Sequence, residues 1–144
     1  MSNFFDFSDE HLEDAEELGA APAGEYSVAI KDWKTDSKGK VIQKDKNDFP
    51  YIMPKLEIVD HPDAENFKDF TMFIRMPHDD QSAKEKKQTR WELKCFCEAF
   101  GIPMTGRVDW DEQIGNMAED VILSLEEGGP YGDQNKVSKF TRAA

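Results

Sequence analysis

Tyr51, Lys55, Phe73 and Arg75 are the residues of this chain whose types and spacing best fit a binding chemistry. Aromatic rings and cations on one exposed face suit a flat, apolar, negatively charged partner. A nucleotide strand is such a partner, because rings stack on bases while ammonium and guanidinium groups meet phosphates. The four residues share a face only if two strands present them. The run Tyr51–Val59 sends Ile52, Leu56 and Ile58 one way and Tyr51, Lys55 and Glu57 the other. The run Lys68–Met76 sends Phe70, Met72, Ile74 and Met76 to one face and Thr71, Phe73 and Arg75 to the opposite one. Both are the period-two pattern of half-buried strands, here joined through His61-Pro62-Asp63. A one-residue slip in either register would bury the aromatics.

Further strands are expected around this pair. Glu25–Lys34 reads as the first, with Tyr26, Val28 and Ile30 inward and Lys31 and Trp33 on the outer face, where the amphipathic Trp33 is either a core or rim residue or another base platform. The polar segment 35–48 follows, and with Lys34 it carries Lys38, Lys40, Lys44 and Lys46, more cations than a turn needs. Ser82-Ala83-Lys84-Glu85 is a capping box opening a helix to about Phe100, stopped by Gly101 ahead of Pro103. Leu93, Phe96, Cys97 and Phe100 form its docking stripe, with Trp91 and Cys95 widening it as packing residues. Asp109–Gly115 reads as a short turn. Met117–Glu127 is expected as the fourth strand, with Val121, Leu123 and Leu125 inward, and Asn135–Thr141 as the fifth. Between them Gly128–Asp133 reads as a flexible loop with Tyr131 at its centre.

The chain has 144 residues, enough for one domain with a modest core. Its net charge of −12 opposes phosphate binding, but residues 1–18 hold seven carboxylates and no Lys or Arg, leaving −5 for the rest. That remainder is patchy: besides the lysine loop, Lys84, Lys86, Lys87 and Arg90 cluster at the start of the helix. Residues 1–20 mix acids with Phe4, Phe5 and Phe7 and include a possible helical turn, His11–Leu18. They read as a flexible tail ahead of the linker Ala21–Gly24. Such a tail solubilises, recruits another protein, or occupies the domain's own basic groove as a nucleic-acid mimic.

Several classes are set aside. No apolar run approaches a membrane span and the N-terminus does not read as a signal peptide, so a cytoplasmic protein is expected. Cys95 and Cys97 point to different sides of a helix and do not suit a disulfide or a metal site. His61/Asp63 and His78/Asp79/Asp80 lack ligand spacing and read as turn residues. No activated nucleophile, phosphate-cradling glycine loop or spaced carboxylate pair marks an enzyme, and no cofactor is expected.

Three strands, one capped helix and two more strands fit a mainly β, α+β domain over residues 21–142. The expectation is a five-stranded Greek-key barrel, the OB-fold, with its helix after the third strand. That fold binds oligonucleotides across strands two and three and at the loops joining strands one–two and four–five. The chain also resembles phage-encoded single-stranded DNA-binding proteins. The resemblance rests on Pro22-Ala23-Gly24-Glu25-Tyr26, on Lys55-Leu56-Glu57-Ile58-Val59 and on the helical Leu93–Ile102 segment. It continues through Ile114-Gly115, Val121–Glu126 and Asn135–Phe140 in that order.

The resemblance implies non-catalytic, largely sequence-independent binding of single strands in replication or recombination, in the host cytoplasm, with partner proteins met through the acidic segment. That family's binding residues follow no fixed motif, so the candidates come from strand faces and loops: Lys31, Trp33, Lys34, Lys38, Lys40, Tyr51, Lys55, Phe73, Arg75, Tyr131 and Lys136. Well-known single-stranded DNA-binding proteins carry the acidic tail at the C-terminus, whereas here it is N-terminal and the chain closes on Lys139-Phe140-Thr141-Arg142. The competing reading is an acidic adaptor or DNA mimic that binds a protein. No feature of the sequence separates DNA from RNA.

Overall fold

The structure, a computed structural model, describes residues 3–130 and 132–140. It is mainly β with one helix: β1 (Gly24–Lys34), β2 (Gln43–Lys44), β3 (Pro50–Val59), β4 (Phe70–Thr71), β5 (Ile74–Arg75), α1 (Ala83–Phe100), β6 (Met117–Gly129) and β7 (Gly132–Phe140). All strand pairs are antiparallel. The hydrogen-bonded order is β2-β3-β1-β6-β7, with β4 and β5 both on β3, so the described sheet has seven strands and stays open.

The expected third strand is present but split, and Pro54 supplies a reason. Lys55 pairs with Thr71 and Leu56 with Phe70; Tyr51 pairs with Arg75 and Ile52 with Ile74. The alignment is the same on both sides of the break. Between the two pieces lies Pro54, which has no N–H to donate, and its carbonyl alone accepts from Met72 N at 3.2 Å.

The first strand departs from simple alternation. Ile30 pairs with Leu56, but Asp32 pairs with Lys55, leaving Lys31 as the extra residue of a β-bulge. On its other side Ile30 is held by Asn116 O and Gly115 N at 2.9 and 2.7 Å. The bulge shifts the alternation by one residue, so Trp33 enters the core and is 4% exposed. Its ring lies edge-on to Trp110 (5.1 Å between centroids) and Phe96 (6.3 Å), and Nε1–H donates to Trp110 O at 2.7 Å.

α1 begins and ends at its expected signals. The Ser82 side chain accepts from Glu85 N, and Gly101 takes a left-handed φ of 66° that favours glycine. Ile102 N then returns to Cys97 O at 2.9 Å. Thr89, Phe96, Cys97 and Phe100 are buried, and Phe96 and Phe100 both meet Phe140 edge-on. Burial pushes the Cys97 thiol pKa up, which lowers its thiolate fraction at any given pH. Cys97 is therefore expected to react more slowly with a disulfide probe than the less buried Cys95, a difference that denaturant should abolish.

Residues 19–21 belong to the folded body and not to a free linker. Gly19 forms a parallel bridge with Phe67, and Lys68 N donates to Gly19 O at 2.9 Å. Ala21 is fully buried, and the Asn135 side chain of β7 bonds both its N–H and its C=O. This segment therefore ties the approach to β4 to β7. Upstream, residues 3–19 are exposed, and the expected turn shrinks to a 3-10 segment, Leu12–Asp14. β6 and β7 extend into the expected loop at 128–133, while Tyr131 lies outside the described residues, as do Thr141 and Arg142. Among the described residues no helix is long and apolar enough to cross a membrane.

Candidate nucleic-acid interface

The outer face of β3 and β5 brings together the residues that opened the sequence reading. Ile52, Leu56 and Ile58 are buried, which leaves Tyr51, Lys55 and Glu57 on the outer side. Phe73 sits in the gap between β4 and β5 and is 49% exposed. Its ring lies 4.7 Å from that of Tyr51 at an interplanar angle of 35°. Arg75 is exposed and pairs directly with Tyr51 across the strands. On the other flank β2 places Gln43 opposite Tyr51, whose hydroxyl lies 3.3 Å from Gln43 Oε1. Lys55 lies four residues further along β3 opposite Thr71, with no carboxylate partner among the described residues.

The lysine loop is ordered by Asp36. Its Oδ1 accepts from Lys38 N and Lys40 N, both at 2.9 Å, and these contacts hold the Asp36 carboxyl below its ordinary range. Lys34, Lys38 and Lys40 project to solvent, and β2 fastens the loop's far end beside Tyr51. The loop's far end thus reaches the strand face, while Lys40 lines a separate shallow cleft with Arg107 and Asp111.

Other candidates stand apart. Trp33 is in the core, because the bulge reverses its side; it offers no platform to a base while the fold is intact. Lys31 donates to Asp69 Oδ2 at 2.8 Å, with Glu57 at 4.0 Å. The Asp69 contact raises the Lys31 pKa, so the side chain stays charged but is already paired. Lys136, on β7, is separated from β3 by β1 and β6 and pairs with Glu126 at 3.0 Å. Tyr131 is outside the described residues. His61 and His78 each accept, through Nδ1, the backbone N–H two residues on, as turn residues do.

The structure adds residues that the strand faces did not supply. A shallow cleft of about 380 Å³ is lined by Phe73, by Arg75 of β5 and by Lys84, Glu85, Gln88, Thr89 and Glu92 on α1. Lys84 thereby joins Arg75 at the rim. Its signal was already present in the cluster at the helix start, and the packing of β5 against α1 brings it to this face. Trp91, expected in the packing stripe, is 55% exposed. No protein-family model matches the chain, and no curated protein matches it in sequence.

Proposed function

We propose that the chain binds single-stranded nucleic acid, DNA in the first instance, without catalysis and with little sequence preference. The observation that carries this reading is the pair formed by the exposed Phe73 ring and the half-buried Tyr51 ring, bordered by Arg75, Lys55 and Lys84. Base–aromatic stacking contributes about 1–3 kcal/mol per base, and every base has a face to stack. The cations meet phosphates, and single strands are preferred because duplex bases are already stacked on each other.

The finer fold we propose is the OB-fold, with the open sheet as its barrel wall. In its support, β1 lies between β3 and β6, the helix falls between β5 and β6, and β4 approaches β7. The role that follows is protection or presentation of single strands in replication or recombination. The acidic segment with exposed Phe4, Phe5 and Phe7 favours a second reading, an adaptor that meets a protein.

Fluorescence anisotropy of a labelled oligothymidine separates the two. Binding is expected at low salt, with log K falling against log[salt] by about 0.7 per phosphate neutralised. Duplex DNA is expected to bind far more weakly, and Phe73→Ala to cost about 1–3 kcal/mol, roughly 5- to 150-fold. Absence of single-strand binding at low salt, or equal affinity for duplex, overturns the proposal and leaves the adaptor.

A further inference from the structure

We infer that the solvent face of α1 is a second subsite for the same strand, in which Trp91 stacks on a base and Lys87, Arg90 and Lys94 meet the flanking phosphates. This rests on the single-strand reading and extends it from the sheet onto the helix.

Two stripes run along α1. Thr89, Phe96, Cys97 and Phe100 are buried. Lys84, Lys87, Gln88 and Trp91 recur at i, i+3, i+4 and i+7 and face solvent, so they lie above one another on the helix surface. With Arg90 and Lys94 they line a second shallow cleft of about 460 Å³. It shares Lys84 and Gln88 with the cleft that contains Phe73 and Arg75, so the two form one continuous surface. Lys84 to Trp91 is about two helical turns, roughly 10 Å along the axis, a step on the scale of a few nucleotides.

The chemistry of the stripe matches that of the sheet face. Trp91 is the exposed tryptophan; Trp33 is buried and packs with the half-buried Trp110. The Lys94 ammonium stands 5.4 Å from the Trp91 ring centroid, over the ring, and 3.7 Å from Glu98. Glu92 accepts from Gln88 at 3.1 Å. Lys84, Lys87 and Arg90 have no carboxylate partner among the described residues. α1 contains five cations and three carboxylates within a chain of net charge −12. A partner protein seeking an apolar surface would find one ring among cations. A flat, anionic polymer finds a stacking face and its counter-charges together.

The test uses the full chain and two labelled oligothymidines, of about 4 and about 16 nucleotides, the range of site sizes for a single domain of the proposed fold. In the wild type the longer strand binds more tightly. Trp91→Ala is expected to cut that gain from length about ten-fold, one base stack's worth. Trp91→Phe should restore most of it, and Phe73→Ala should weaken both strands. Combining Lys87→Gln with Arg90→Gln should flatten the salt dependence for the longer strand only. An undiminished gain from length in Trp91→Ala, with wild-type binding intact, overturns the second subsite alone. Failure of the wild type to bind either strand overturns the single-strand reading with it. A thermal melt of each variant shows that the comparison is between folded chains.

Discussion

Trp33→Ala is expected to destabilise the fold by about 3–5 kcal/mol, the cost of removing a large buried ring and leaving its cavity. That is a large part of the roughly 5–15 kcal/mol by which a domain of this kind is stable. The ring is 4% exposed, packs edge-on against Trp110 and Phe96, and satisfies the Trp110 carbonyl through Nε1. Trp33→Phe should fall between, because it keeps much of the ring but leaves that carbonyl without its donor. Urea unfolding followed by circular dichroism measures both. A Trp33→Ala midpoint equal to wild type would mean that the residue lies outside the core. Trp91→Ala, on the exposed face of α1, is the matched control and should move stability by no more than about 0.5 kcal/mol.

The second large effect is expected at Asn135, which is 3% exposed. Its Oδ1 accepts from Ala21 N at 2.9 Å, and its Nδ2 donates to Ala21 O at 2.8 Å and Ser124 O at 3.2 Å. Asn135→Ala removes both partners of Ala21, itself fully buried. Each buried group left unsatisfied costs about 1–3 kcal/mol, so for the two Ala21 groups a loss of roughly 2–6 kcal/mol is expected. Asn135→Asp should also destabilise, since a carboxylate would face two carbonyl oxygens that need a donor. Hydrogen exchange localises the effect: the amides of Ala21 and Lys68 should lose protection ahead of those in β1. Unchanged stability together with protected amides would show that the side chain does not hold residues 19–21 in place.

Much of the fold was legible because its signals are local. Alternation over Tyr51–Val59 depends only on the pleat, and Ile52, Leu56 and Ile58 are buried as the pattern requires. Ser82 and Gly101 mark α1 because a helix end must satisfy its own free N–H and C=O groups within a turn. The face that joins Tyr51, Phe73 and Arg75 was legible for the same reason, since two correct alternations were enough to define it. Pro54 leaves the alternation of β3 undisturbed, and its missing donor shows only across the strands, in the break between β4 and β5.

The two tryptophans mark the boundary between what the residues determined by themselves and what the tertiary structure decided. Composition and spacing determined a mainly β domain with one capped helix, an aromatic–cationic strand face and an acidic N-terminal segment. They placed Trp33 outside and Trp91 in a packing stripe, and the structure exchanges the two. Trp33 turned inward because Ile30 is gripped by Gly115 and Asn116 while β3 skips Lys31 in its register. That bulge is a bargain among three segments far apart in the chain, and no period in the first strand records it. Trp91 turned outward because a helix can bury only the stripe that its neighbours cover, here through Phe96, Cys97 and Phe100, and only the docked sheet decides where that stripe ends.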